Sequence, residues 1–258
     1  MENAFNGVKI VKPRRLVIGD IHGRIEALKE LLISSDFDYS IDTLIILGDV
    51  ADGGYNTYQV VEELLKIKNI IYIIGNHDQM FIDYIQKKST PRLWINQGGA
   101  NTLNSYGGDV IPAKCLELSP IKVNIDNVNI PVTHKEFFNK GIYYYILDNM
   151  LFVHGGFDPA KPIEVQDKSV LLWDRSIIDF AKDKYIPLYS KVFTGHTTTQ
   201  IINEGTKPLI YNNLYCLDTG AGWTGKLTIM DIDTEEYWQS KIQKPATGGD
   251  LEEVDLDE

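Results

Sequence analysis

The sequence predicts an α/β protein, and three observations carry that reading. Five short apolar runs rich in β-branched residues recur along the chain, at residues 16–18, 44–47, 70–74, 151–153 and 192–194. Between the first three, the apolar period changes from continuous to helical. Every run ends at a glycine or at a polar residue beside one, so buried strands repeatedly deliver a polar side chain at a sharp turn.

The elements follow in order. Residues 16–18 are continuously apolar, as in a strand buried on both faces, and lead into Gly19-Asp20. Ile25, Leu28, Leu31 and Leu32 share one helix face. Residues 44–47 form the second strand and lead into Gly48-Asp49. Val60, Val61, Leu64 and Leu65 form a second helix face, with Glu62, Glu63 and Lys66 outward. Residues 70–74 lead into Gly75-Asn76-His77-Asp78, and Met80, Phe81, Tyr84 and Ile85 begin a third helix. Strand, helix, strand, helix, strand gives two βαβ units and a parallel sheet. Ligands of such sheets bind beyond the carboxyl ends of the strands.

The middle of the chain is less regular. Residues 96–108 are rich in Gly and Asn and read as a loop, and residues 122–130 alternate weakly, as a strand would. Tyr143, Tyr144 and Tyr145 feed into an apolar run and read as strand or core residues. Residues 151–153 precede His154-Gly155-Gly156, and residues 192–194 precede Gly195-His196. Two late strands, 214–217 and 226–232, flank the turn Thr219-Gly220-Ala221-Gly222.

The chain has 258 residues and a formal net charge of −11. That length suits one domain with a sizeable core. The acidic balance argues against tight, sequence-independent nucleic-acid binding, which needs clustered cations. It leaves room for a phosphorylated substrate, because bound metal ions supply local positive charge. Cys115 and Cys216 are far apart and match no zinc spacing. The N-terminus lacks the apolar core of a signal peptide and no run is long enough to span a membrane, so a cytoplasmic protein is expected, in a bacterial or phage-infected cell. The expected organisation is an extension at 1–13, a domain at 14–240 and an acidic, disordered tail at 243–258.

Four of the five histidines, His22, His77, His154 and His196, lie in the strand-end turns. Asp20 and His22 stand two apart on extended backbone, which points both to one side. Carboxylate and imidazole together suit Mn, Fe or Zn. Asp49 and Asn76 add oxygen donors, and His154 and His196 add nitrogen. Six candidate ligands are too many for one catalytic ion with open positions, but suit two divalent ions sharing a carboxylate.

Five motifs in order, GDIHG at 19–23, GDVADGG at 48–54, GNHD at 75–78, VHGG at 153–156 and TGHT at 194–197, resemble the calcineurin-like metallophosphoesterase superfamily. Within it, the LWINQGGANTLNSYG, LLWDR and LDTGAGWTGKLT segments are similar to the phosphoprotein phosphatases of bacteria and bacteriophage lambda. The likeness covers about residues 14–232. It implies a central β-sandwich flanked by helices, with a dinuclear metal site at the carboxyl ends of the strands. One metal, Mn with Fe or Zn as alternatives, would take Asp20, His22 and Asp49. The other would take Asp49, Asn76, His154 and His196. His77 would be the general acid, oriented by Asp52, and Arg175 would bind phosphate. The implied reaction is in-line attack on a phosphomonoester by a hydroxide shared by the metals, with a phosphoserine or phosphothreonine protein as nominal substrate. The alternatives are a dinucleoside polyphosphate or another nucleotide or RNA phosphate, and a non-catalytic binding protein on the same fold.

Two departures stand out. Phosphoprotein phosphatases carry arginine where this chain has Gly53 and Ile74, and glutamate where it has Asp78. Loss of two guanidinium forks weakens the expected grip on phosphate. Arg24 is a candidate substitute, although a solvated first-turn role fits it better. Trp94, Gly98 and Gly99 match a segment near the active face. His134 reads as a packed residue rather than a ligand.

Overall fold

A computed structural model of the protein describes residues 12–112, 122–203 and 205–244. Most of the expected N-terminal extension, Cys115 and nearly all of the expected acidic tail lie outside the described residues.

The first half follows the expected alternation: β1 (Arg15–Ile18), α1 (Ile25–Ser34), β2 (Thr43–Ile46), α2 (Thr57–Leu64), β3 (Asn69–Tyr72) and α3 (Asn76–Lys87). β1, β2 and β3 pair in parallel, Leu16 opposite Leu44 and Leu44 opposite Ile70. The chain continues through α4 (Arg92–Trp94), a kinked turn at Ile95–Gly99, α5 (Ala100–Ser105), β4 (Asp109–Ile111), β5 (Lys122–Asn124) and α6 (Val132–Asn139). Its second half holds β6 (Tyr144–Leu147), β7 (Met150–Val153), α7 (Lys168–Trp173), α8 (Ser176–Asp183), β8 (Lys191–Thr194), α9 (Thr199–Asn203), β9 (Leu209–Tyr211), β10 (Leu214–Cys216), β11 (Thr228–Asp231) and β12 (Tyr237–Gln239).

The two main sheets run in the orders β12-β11-β1-β2-β3 and β6-β7-β8-β10-β9. Each has three mutually parallel strands, β1-β2-β3 at one side of the first sheet with β11 and β12 antiparallel beyond β1, and β7-β8-β10 at the centre of the second with β6 and β9 antiparallel at its margins. Val17, Ile45, Leu47 and Ile73 of one sheet meet Phe152, Phe193 and Leu217 of the other in a layer between them. Leu16, Ile18, Leu44 and Ile46, pointing the other way, pack with α1 and α2. Leu151, Val192 and Leu214 pack with Ile177 and Ala181 of α8. Both faces of each central strand are therefore buried, which explains their unbroken apolar runs. This is the α/β sandwich flanked by helices that the sequence predicts.

Two expectations change. Residues 96–108, expected as a loop, kink at Gln97 and Gly98 and then form a helix from Ala100 to Ser105. Trp94, Ile95, Ala100 and Leu103 are buried against the main core, and that burial outweighs the poor helix propensity of the Gly and Asn residues. In the 122–130 stretch, only Lys122–Asn124 forms a strand; it is exposed and pairs with β4 outside both main sheets.

Candidate metal centre

Six parallel strands from the two sheets stop at one edge, and each is followed by a polar residue: Asp20 after β1, Asp49 after β2, Asn76 after β3, His154 after β7, His196 after β8 and Asp218 after β10. All six are buried. The turns that aim them are tight. His22, Asp49, Asp52 and His196 adopt φ of 48°, 48°, 68° and 64°, a left-handed conformation that is uncommon for non-glycine residues. Close approach leaves no room at two glycines. A Cβ on Gly75 would stand 2.0 Å from Asp49 Oδ1, and one on Gly195 would stand 2.1 Å from Asp20 Oδ1.

The three imidazoles of the cluster are each pinned at one nitrogen by a backbone carbonyl. His22 Nδ1 lies 3.1 Å from Ala51 O, His154 Nδ1 lies 2.7 Å from Leu47 O, and His196 Nε2 lies 3.3 Å from Trp173 O. A carbonyl only accepts, so each pinned nitrogen carries the proton and the other is left with a free lone pair. Those free nitrogens converge on oxygens. His22 Nε2 and His154 Nε2 stand 3.6 and 3.5 Å from the same atom, Asp49 Oδ2. His154 Nε2 and His196 Nδ1 each stand 2.9 Å from Asn76 Oδ1. Acceptors facing acceptors need a cation between them. Asp20 Oδ1 is also buried with no hydrogen-bond partner. Asp20, Asp49 and His154 offer ligand atoms within 4.8 Å of one another. The donor set thus fits the two divalent metal ions that the sequence implies.

The electrostatics agree. Burial pulls the His22 imidazole well below its usual pKa, and pulls His154 to about 3 and His196 to about 2. All three are neutral near pH 7, as metal ligands must be. Burial, with Asp218 and Asp49 nearby, raises Asp20 well above the carboxylate range, and burial lifts Asp49 to about 6. Crowded buried carboxylates of this kind are relieved by bound cations.

His77 behaves differently. Its Nδ1 lies 2.8 Å from Asp52 Oδ2, so Nδ1–H donates to the carboxylate. Burial lowers its pKa, but Asp49, the hydrogen bond to Asp52 and the charge of Asp52 outweigh burial and raise it to about 9. Asp52 is itself saturated: Trp94 Nε1 donates to Oδ2 at 2.9 Å, and Thr102 Oγ1 donates to Oδ1 at 2.7 Å. Asp78 binds the backbone N–H groups of Val50, Ala51 and Gly75, tying the Asp49–Asp52 turn to the start of α3.

A cavity of about 270 Å³ opens over this cluster, lined among others by His22, Asn76, His77, Gln97, Arg175 and Asp218. Arg175 is exposed at its rim, and its side chain makes no hydrogen bond or ion pair among the described residues. Arg24 does not reach for phosphate. Its guanidinium donates to Ala221 O and Gly222 O, clamping the loop after β10. His134 is a packed residue, held by Tyr106 and Glu62. Tyr144 and Tyr145 lie in β6, and the Tyr143 hydroxyl donates to Gln79. Asp218 is the wall residue that sequence reasoning missed. It follows the same pattern as the others, an apolar run then Asp then a glycine turn, and that pattern was the signal.

The model of the family described as calcineurin-like phosphoesterase matches residues 13–200. Serine/threonine-protein phosphatase 1 of Salmonella typhimurium is 35% identical over 225 residues, covering 84% of this chain and 90% of that protein. The asymmetrical bis(5'-nucleosyl)-tetraphosphatase of Oceanobacillus iheyensis is 24% identical over 257 residues, covering 89% and 92%. Among solved structures, a metallophosphoesterase from Sphaerobacter thermophilus is similar in fold, with a TM-score of 0.53, 15% identity and 90% coverage of each chain.

Proposed function

The chain belongs to the calcineurin-like phosphoesterase family of metal-dependent phosphoric ester hydrolases, and on that premise we propose that it hydrolyses phosphomonoesters, with phosphoserine or phosphothreonine in a protein as the first substrate class. The observation that carries the reading is the contrast between neighbouring imidazoles. Three are pinned by backbone carbonyls and turn a bare nitrogen to the cluster, whereas His77 is held through Nδ1 by the Asp52 carboxylate.

In this reading Asp20, His22 and Asp49 hold one divalent ion, and Asp49, Asn76, His154 and His196 hold the other. Such ions lower the pKa of a water near neutral pH and offset phosphoryl charge. The rest is done by the chain. Asp52 fixes the His77 ring through Nδ1, which leaves Nε2–H to protonate the departing oxygen. Arg175, unpaired at the cavity rim, takes a non-bridging phosphoryl oxygen. The oxygen-and-nitrogen donor set suits Mn first, with Fe and Zn as alternatives. The likeness to serine/threonine-protein phosphatase 1 supports the protein substrate.

A second substrate class, the dinucleoside polyphosphates, is favoured by two exposed tryptophans on the cavity, Trp173 at 42% and Trp223 at 51% exposure. Their faces suit stacking on a nucleobase, and relatives named bis(5'-nucleosyl)-tetraphosphatases match most of the chain. Hydrolysis of an aryl phosphate with added Mn, abolished by a chelator, tests the enzyme; no turnover with Mn, Fe, Co or Ni contradicts it. The ratio of kcat/KM on a phosphopeptide and on diadenosine tetraphosphate decides between the classes. A large preference for the dinucleotide overturns the first.

A further inference from the structure

The two missing arginines leave a question that the geometry at Gly53 answers. Gly53 sits at φ +72°, and a Cβ there would meet His22 Cβ at 2.9 Å. Ile74 is buried in the main core. Neither position supplies a donor, and an arginine does not fit at 53 without moving a candidate metal ligand.

The space over Gly53 is filled from elsewhere. The kinked turn at Ile95–Gly99 comes down on it: a Cβ on Gly98 would stand 2.3 Å from Gly53 N. Asn101 Nδ2 donates to Gly53 O at 2.6 Å. At the contact the helical path breaks, with Gln97 at φ −92°, ψ 15° and Gly98 at φ 113°. Gln97 and Gly98 thus form a kink between two helical segments. The kink places Gln97 on the wall of the cavity that also holds His77 and Arg175.

Gln97 is the unsatisfied member of an otherwise saturated segment. Trp94 and Thr102 are bonded to Asp52, and Asn101 is bonded to Gly53. The Gln97 side-chain amide makes no hydrogen bond to a described residue, and its Oε1 is buried without a partner. Buried polar groups are almost always paired, so an orphan amide on the wall of a cavity points to a ligand. In either orientation the amide offers two N–H donors.

We propose that Gln97 is a substrate-binding residue, whose amide donates to a non-bridging phosphoryl oxygen in place of the guanidinium that Gly53 does not carry. The proposal rests on the phosphoesterase reading of the same pocket. A neutral amide holds a dianion less tightly than a guanidinium does, so phosphate binding in this chain leans on Arg175 and the cations for charge, and on Gln97 for direction.

The test uses the full chain loaded with Mn, titrated with inorganic phosphate by calorimetry, beside steady-state turnover of p-nitrophenyl phosphate. Gln97→Ala is expected to weaken phosphate binding about 10-fold, the usual worth of a hydrogen bond to a charged group. KM should rise by a similar factor, with Tm unchanged or higher because the buried orphan is gone. Gln97→Glu keeps the shape and is expected to lose more, through repulsion of the anion. Phosphate affinity within twofold of wild type in the Glu variant overturns the proposal. So does a fall in Tm with unchanged affinity in the Ala variant, which marks a packing role, and so does a wild-type protein that binds no phosphate. Phosphate binding is read without turnover, so a wild type that binds phosphate but hydrolyses nothing refutes the proposed function and not the role of Gln97.

Discussion

The cavity has two walls, and they are held by different means. On one side, six strand ends from two sheets converge, and core packing on both faces of each sheet fixes where Asp20, Asp49, Asn76, His154 and His196 stand. Glycine contacts closer than any side chain allows lock the turns. On the other side, the helical saddle from Arg92 to Ser105 lies over the Asp52–Gly53 turn and holds it by individual side-chain bonds from Trp94, Asn101 and Thr102. The first wall is overdetermined. The second depends on single contacts, so single substitutions there should tune the site rather than erase it.

Four substitutions or conditions break or sharpen that contrast. The largest effect is expected from Asp49→Ala on the first wall. It removes the oxygen that faces both His22 and His154. Bound metal should fall by at least one ion per chain, and aryl phosphate hydrolysis by more than about 1000-fold, because in the proposed assignment Asp49 would serve both ions. Metal analysis with initial rates reads both.

His77→Asn, between the walls, should lower kcat by about 100- to 10,000-fold, the range for loss of a general acid, with metal content intact. Trp94→Phe, on the second wall, removes one of the bonds to Asp52 and leaves the ring's packing in place. About a 10-fold drop in kcat is expected, with about 1–2 kcal/mol of stability lost, read by rates and urea melts.

The smallest effect is a pH-dependent one. Asp49, with a folded pKa of about 6, binds more protons folded than unfolded between about pH 4 and 6, so its contribution to stability falls as pH rises through that window. Asp218, raised to about 7 by burial, extends the fall to neutral pH. His154 and His196, at about 3 and about 2, act oppositely: the unfolded chain binds more protons below about 6.5, so their stability is lost as pH falls. Near pH 8 the imidazoles are neutral and the carboxylates ionised, which is the state that cations stabilise. Saturating Mn should therefore raise Tm by roughly 5 °C at pH 8 and by little at pH 5, where protons compete for the same oxygens. An equal rise at both values would show that these carboxylates are not the ligands.

The same contrast explains what was legible in the sequence. Strand ends announce themselves locally: an unbroken apolar run, then Gly, then Asp, Asn or His. Five of the six have a glycine directly beside the polar residue; in the sixth, Thr219 stands between Asp218 and its glycine, which blurs the mark. The helical saddle has no such mark. Its Gly and Asn residues look like a loop, and only burial of Trp94 and Leu103 and the bonds to Asp52 make it helical. The role of Arg24 was illegible for a similar reason, since its partners, Ala221 and Gly222, lie almost two hundred residues away. The same holds for Gln97, whose position depends on a missing side chain at Gly53.

The central claim is that six residues hold two ions while His77, in their midst, holds none. The most direct measurement is the metal content of Mn-loaded, dialysed wild type and of His77→Asn, taken with aryl phosphate hydrolysis on the same samples. The account predicts about two ions per chain in both proteins, with hydrolysis about 100- to 10,000-fold slower in His77→Asn. One ion or none in the wild type, or an ion lost on replacing His77, would contradict it.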